Sequence, residues 1–404
     1  MNGRLIVAER ADGLLNLCRR AAVGAPILAL VLVFGTMANQ SAQAQTFTTL
    51  YNFTGSSDGG YPYGNVVSDP SGGLYGTTYY GGTAGLGVVF KLDTAGTETV
   101  LHSFKGGTTD GEYPFAGLVR DKAGNLYGTT ESDGPSGYGV VFKVDSGGTE
   151  SVLYGFAGGT TDGCVPLGGL IRDKSGNLYG TTEACGASDY GIVFKLDKKG
   201  KETVLHSFGG GSSDGAFPLY TSLLMDKNGN LYGVTEEGGS SNEGVLYKLS
   251  KKGVLTVFHS FTGSTTDGCY PFGAPLMDGG GNFYGTTESC GSSGYGIVFK
   301  VDKKGRETVL HSFAAGTSDG AYPFSGVISD AKGNLYGDAQ GGGASGEGVV
   351  YKLSKSGMLT LRHSFSGSDG AYPLGGLLRG AKGALYGTTE AGGTSGYGTV
   401  WSLK

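Results

Sequence analysis

Short runs of strand-like composition alternate with turn signals along this chain, and the run length changes little from one end to the other. One stretch shows the unit. Residues 117–121 (GLVRD) turn through Lys122-Ala123-Gly124 into residues 125–130 (NLYGTT), and a longer loop leads to residues 139–145 (GVVFKVD). A second tight turn, Ser146-Gly147-Gly148, leads to residues 149–156 (TESVLYGF). Most copies of both tight turns open on Asp and close on Gly, which fits a type I turn followed by a left-handed residue that Gly occupies without strain. The unit therefore predicts a four-stranded antiparallel meander. Its third strand is almost continuously apolar (Val140, Val141, Phe142), the pattern of a strand covered on both faces.

The unit repeats. A motif S/T-D-G-x-Y/F-P places its Asp at Asp58, Asp110, Asp162, Asp214, Asp267, Asp319 and Asp369, at steps of 52, 52, 52, 53, 52 and 50 residues. An isolated four-stranded sheet cannot cover both of its faces, so seven stacked radially predict an all-β, seven-bladed β-propeller, with an open β-solenoid as the alternative. The chain ends favour the ring. The last copy stops at residues 401–404 without an outermost strand, and residues 46–53 (TFTTLYNF) carry the outer-strand pattern ahead of the first inner strand. The N-terminal segment is thus expected to complete blade seven. Composition agrees: 81 Gly in 404 residues with 24 Tyr and 19 Phe excludes coiled coils and acidic disordered chains.

Residues 1–44 are read as a signal peptide. Arg4, Arg10, Arg19 and Arg20 form a basic start, residues 21–38 an apolar core, and Ala42-Gln43-Ala44 a small-residue cleavage site. Arg19-Arg20 hints at twin-arginine export, and Cys18 precedes the apolar run, so it is not a lipidation cysteine. Residues 45–404 then form the propeller, secreted to the extracellular space or periplasm, with no membrane span and a net charge of −7. That charge disfavours nucleic acid and anionic membranes as partners. The mature protein is expected to be a monomer.

The N-L-Y-G-T-T and G-x-G-V-V-F-K-L segments, for example residues 125–130 with 139–144 and residues 177–182 with 191–196, resemble the gloeo/verruco (GloVer) tandem repeats of bacterial extracellular proteins. The resemblance spans residues 46–404 and recurs in all seven copies. It implies a secreted or surface-attached protein with no settled activity. Members often carry a C-terminal anchoring segment, and none is seen before Lys404.

Cys164 and Cys185 in copy three, and Cys269 and Cys290 in copy five, lie 21 residues apart at equivalent positions. Pairs that occur together and are absent together read as disulfides Cys164–Cys185 and Cys269–Cys290 in an exported chain; zinc is the rival reading, with no His near either pair. Each bridge would join the two long loops of one blade. That puts both loop types on one face, and function is expected there, on variable loops carried by a rigid scaffold.

Candidate site residues follow from that face. The seven Asp either cap their own loops as Asx turns or join Glu131, Glu183, Glu236, Glu288 and Glu390 in a ring of carboxylates able to hold Ca²⁺ or hydrogen-bond sugar hydroxyls. Tyr113, Phe217, Tyr270, Tyr322 and Tyr372 before the loop Pro, with Tyr138, Tyr190, Tyr295 and Tyr397 in the G-Y-G loops, supply aromatic faces for a sugar. Copies that depart from the pattern mark a unique site: Tyr79 and Tyr80 in copy one, Asp338 and Gln340 in copy six, and Glu243 and Glu347 in place of the G-Y-G tyrosine. The five His share one outer-strand position, replaced by Tyr51 and Tyr154, and are read as structural; Trp401 is read as core. No Ser-His-Asp set, nucleophile elbow or phosphate loop is present. The expectation is a binding module for an extracellular glycan or a protein partner, without a cofactor. The alternatives are a polysaccharide hydrolase or lyase at the central mouth, with Glu243 and Glu347 as a carboxylate pair, and a structural or adhesive surface protein.

Overall fold

A computed structural model describes residues 45–220 and 222–404; the expected signal peptide lies outside the described residues. Seven four-stranded antiparallel sheets form the blades, and strands are lettered a to d from the inside outward. Blade two is representative, with strand a at Val119–Arg120, b at Leu126–Thr130, c at Val140–Val144 and d at Glu150–Gly155. In blade seven the order is Leu378–Arg379, Leu385–Thr389, Thr399–Leu403 and then Phe47–Asn52, so the N-terminal strand is the outer strand of the last blade. Thr46 N–H and Lys404 N–H each donate to the other residue's carbonyl at 2.9 and 3.0 Å. The ring is closed as expected, and the solenoid is excluded.

The continuous apolar run of strand c is explained by its two neighbours. Val140, Phe142 and Val144 pack with Val89 and Phe104 of blade one, whereas Val141 packs with Leu170, Ile192 and Phe194 of blade three. Seven such clusters, each shared by consecutive blades and the last joining seven to one, make up the core of the ring. The Phe that ends each strand d is fully buried and meets the aromatic ring on strand c of the next blade. Phe104 meets Phe142 at 5.1 Å, Phe156 meets Phe194 at 5.1 Å and Phe365 meets Trp401 at 5.8 Å. Such a pair contributes about 0.5–1.5 kcal/mol beyond its area burial. Trp401 is therefore core. The Gly of N-L-Y-G-T-T makes room for that ring: a Cβ on Gly128 would lie 2.5 Å from Phe142.

A second interblade device uses the first Thr of N-L-Y-G-T-T. Thr77 Oγ1 donates to Ala116 O of the next blade at 2.8 Å, Thr286 to Ser325 O at 2.6 Å, and Thr388 to Gly64 O across the closure at 3.0 Å. Blade six carries Asp338 here, fully buried, with its Oδ1 accepting from Ser325 Oγ and its Oδ2 without a partner. Burial raises its pKa to about 7, so the neutral acid is the stable form at mildly acidic pH.

Both disulfides form as expected, Cys164–Cys185 and Cys269–Cys290. In blade three the bridge flanks a two-residue ladder, Gly163–Cys164 against Ala184–Cys185, that ties the two long loops together. Closing a loop of 21 residues contributes roughly 3 kcal/mol.

Candidate functional site

The long loops share one face, and the residue before each Pro stitches it together. Tyr61, Tyr113, Val165, Phe217, Tyr270, Tyr322 and Tyr372 all have φ between 55° and 58°, a left-handed backbone costly for residues with a Cβ and most of all for Val. Two hydrogen bonds hold each one there. Tyr113 N–H donates to Leu86 O in the preceding blade, and Tyr113 O accepts from Glu131 N–H in its own. Val165 does the same with Tyr138 O and Glu183 N–H. Every interface between blades is thereby fixed at this face, with the G-x-G residue of one blade beside the pre-Pro residue of the next.

The seven Asp do not join the glutamates. Asp110 Oδ2 accepts from Lys105 N–H at 3.0 Å and Oδ1 from Gly111 N–H at 2.8 Å, and His102 Nε2 lies 3.1 Å from Oδ2. Asp162, Asp214, Asp267 and Asp319 repeat this with local amides and with Tyr154, His206, His259 and His311. Asp58 pairs with Tyr51 and Asp369 with His363. The loop Asp thus hooks the outer strand at the rim. His and Tyr alternate at the position because either one can donate to it.

A third residue approaches this hook. The first residue of the next strand d reaches back, and Glu150 completes a group with His102 and Asp110, as Glu307 does with His259 and Asp267, with ligand atoms within 4.8 Å of one another. A nitrogen with two carboxylates suits zinc better than calcium. The His–Asp pair forms equally where the Glu position holds Leu255 or Leu359, and the Glu recurs as Glu98 and Glu202 beside Tyr51 and Tyr154. Neither half of the group depends on the other. Glu243 also lies near Cys269 and Cys290, whose sulfurs are bonded to each other.

The five Glu of the second long loop behave differently, because they converge on the axis. Tyr220 of blade four feels Glu183, Glu131, Glu236 and Glu288 at once, and together with burial they raise its phenol pKa. Burial also raises the glutamates, Glu183 to about 6 and Glu236 to about 7, with neighbouring carboxylates adding to it. The centre of this ring is filled rather than open. Phe115 of blade two contacts Tyr220 of blade four at 4.5 Å, Tyr220 contacts Phe324 of blade six at 5.1 Å, and Phe272 contacts Phe324 at 4.7 Å. Contacts between non-adjacent blades form only at the axis, so an aromatic plug fills the mouth, and its rings together with the segments that lead into the inner strands line a cavity of about 250 Å³. Glu243 and Glu347 do not pair across it. Each meets the tyrosine of the following blade, Tyr270 and Tyr372, because the G-x-G position faces its neighbour and not the axis.

Copy one breaks the ring. Tyr79 stands where five copies have Glu and copy six has Gln340, and its hydroxyl donates to Glu131 Oε2 at 2.6 Å, while Tyr63 donates to Glu390 Oε1 at 3.0 Å. Around them Tyr79 stacks on Tyr113 at 4.9 Å, Tyr80 lies edge-on to Tyr113 at 5.5 Å and to Tyr61 at 5.8 Å, and Tyr61 meets Tyr397 at 5.5 Å. Tyr80 is 40% exposed and Tyr397 37%. Aromatic pairs recur singly at other interfaces, as Tyr190–Phe217 and Tyr295–Tyr322, and Tyr138 stands exposed beside Val165. Among the described residues, only the seven–one–two sector gathers five tyrosines next to two carboxylates.

These features define a class, a closed seven-bladed propeller with a stitched, tyrosine-rich loop face. The chain belongs to the Gloeobacter/Verrucomicrobia repeat family, whose model matches residues 34–226 and 168–401. No curated protein matches the sequence. Among solved structures it is similar to one titled as streptogramin B lyase, with a TM-score of 0.60, 12% identity, and coverage of 89% of this chain and 97% of that one. A puromycin hydrolase mutant gives 0.51 and 13%, over 83% and 51% of the two chains. A putative 6-phosphogluconolactonase from Bacteroides uniformis gives 0.50 and 17%, over 78% and 88%. At these identities the likeness shows the fold alone.

Proposed function

We propose that this protein is an exported glycan-binding module whose ligand seat is the tyrosine cluster formed by Tyr61, Tyr79, Tyr80, Tyr113 and Tyr397. The observation that carries the reading is the exposed Tyr80 ring held by three edge-on tyrosines, Tyr61, Tyr79 and Tyr113, beside Glu131 and Glu390. An aromatic face buries the C–H surface of a pyranose, and adjacent carboxylates accept from its hydroxyls. Because the surrounding long loops carry a single cation, Lys105, among many carboxylates, the ligand is a neutral sugar. The plugged mouth and the separation of Glu243 from Glu347 speak against hydrolysis at the axis. Export is supported by the two disulfides, and no helix among the described residues is long and apolar enough to cross a membrane.

Calorimetric titration with neutral cello-, xylo- and manno-oligosaccharides tests this. Binding is expected for at least one series, weakened tenfold or more by Tyr80→Ala, with unchanged oligosaccharide recovered by chromatography. Burial holds the Glu131 and Glu390 pKa values above the usual carboxylate range, so the accepting form is depleted in acid, and affinity should be higher at pH 7.5 than at pH 5. Full affinity in Tyr80→Ala would remove the seat from this cluster, and cleaved product would replace the binding role with catalysis.

A further inference from the structure

The net charge of the chain hides a segregation that the fold makes visible. Lys105 is the long loops' only cation, and the remaining Lys and Arg of the described residues lie on strands or at the tight turns. The turns between strands c and d are uneven. Blade three reads Asp197-Lys198-Lys199-Gly200-Lys201, blade four Ser250-Lys251-Lys252-Gly253 and blade five Asp302-Lys303-Lys304-Gly305-Arg306. The same turn is Thr94-Ala95-Gly96 in blade one, Ser146-Gly147-Gly148 in blade two and Ser354-Lys355-Ser356-Gly357, with a single Lys, in blade six. Three consecutive blades therefore carry a basic sector.

Its side chains are free. All seven of these lysines are exposed, and no lysine among the described residues is within ion-pair distance of a carboxylate. Arg306 alone is paired, to Asp302 at 2.8 Å. Asp197 accepts the amides of Lys199 and Lys201 through Oδ1, which shapes the turn and leaves both ammonium groups outside it. Blade four has Ser250 in place of the Asp and so carries no carboxylate at the turn.

The sector also has a shape. These turns join the two outermost strands and so lie on the rim, and each rests on the outer strand of the preceding blade: a Cβ on Gly253 would lie 3.5 Å from Leu205 O, and one on Gly305 2.4 Å from Phe258 O. Lys201 and Leu205 are four residues apart on one strand, so consecutive basic turns are on the order of 10–20 Å apart. Three blades of seven carry them around roughly 100° of arc. A DNA duplex, stiff over about 50 nm, does not follow so tight a curve. A flexible chain with repeated negative charges can lie along all three turns.

We propose that the rim of blades three to five is a second binding surface, specific for an extended acidic polysaccharide. It is independent of the tyrosine cluster and lies on other elements. The full mature chain is titrated with heparin and with polygalacturonate, with phosphatidylglycerol vesicles and a DNA duplex as competitors for the assignment. Both polysaccharides are expected to bind, with log affinity falling linearly against log salt as counterions are released. Lys251→Glu with Lys252→Glu should weaken binding tenfold or more and flatten the salt slope. The same charge placed in blade one, Thr94→Glu with Ala95→Glu, should change it less than twofold. Melting temperature checks that each variant is folded, and Lys198→Gln with Lys199→Gln supplies a second variant on another turn. The proposal is overturned if neither polysaccharide binds, if the blade-four and blade-one variants behave alike, or if vesicles or the duplex bind more tightly than both polymers.

Discussion

Removing residues 45–53 lowers the melting temperature by about 10 °C or more and promotes self-association. Strand d of blade seven pairs with Thr399–Leu403 from Phe47↔Leu403 to Asn52↔Thr399, and it supplies two aromatic anchors to the closure. Phe53 is fully buried against Phe90 of blade one at 5.1 Å, and Phe47 stacks on His363 of blade six at 3.6 Å. Truncating a buried Phe costs about 3–5 kcal/mol. Losing two, spread over the unfolding entropy of a chain this long, corresponds to about 10 °C. The truncation also bares the edge of Thr399–Leu403 beside Trp401, an unpaired strand open to another copy. Differential scanning calorimetry and size-exclusion chromatography read both effects. Phe53→Ala is the milder form, expected to cost about 3–5 kcal/mol without opening the strand edge. An unchanged melting temperature after truncation would mean that the ring is held elsewhere.

The second large effect is on pH. Glu98, Glu150, Glu202 and Glu307 begin strand d in four blades, each with an Oε1 that is buried without a partner and each raised to about 7 by burial and by the loop Asp of the adjoining interface. Leu255, Leu359 and Phe47 hold this position in the other three blades, so the site is one that a neutral side chain fills. Between pH 4.5 and 7 the folded protein binds more protons than the unfolded chain, and stability falls as pH rises through that window. Glu236 and Asp338, each raised to about 7, act in the same direction; His363, lowered by burial, acts in the opposite one. These rim glutamates are only partly buried, so each is credited with only ~1 kcal/mol after screening, which gives a melting temperature about 5 °C higher at pH 5 than at pH 8. Below pH 4 the trend reverses, because Asp69 and Asp330, held near 2 by hydrogen bonds in their turns, lose those bonds on protonation. Replacing the four glutamates by Leu should remove most of the slope above pH 5. A slope that survives the replacement would assign the effect to the axial ring.

Part of this was legible in the residues. The Asp and His positions both recur with the repeat, and His lies eight residues before Asp in four copies and six in the last. Their shared recurrence was a signal of partnership. Read separately, they left the Asp open between a cap of its own loop and a place in the ring of Glu. The periodicity tells that two positions are equivalent in every blade but not how far either lies from the axis, and that radius divides the hooks at the rim from the ring at the mouth. The positive φ before each Pro left no trace in the sequence, since Tyr, Phe and Val stand where Gly is the usual choice.

Seven copies of one meander, an apolar strand c, a surplus outer strand at the N-terminus and two paired cysteines determined the ring, its closure and its bridges without reference to any coordinate. Those are properties of one unit and its immediate neighbours, which local pattern encodes. Only the tertiary structure decided that the mouth is plugged by Phe115, Tyr220, Phe272 and Phe324, that Glu243 and Glu347 stand apart, and that five tyrosines meet across the seven–one and one–two interfaces. These contacts join different blades, some of them non-adjacent or at opposite ends of the chain. They depend on the closed ring as a whole, and no single repeat contains them.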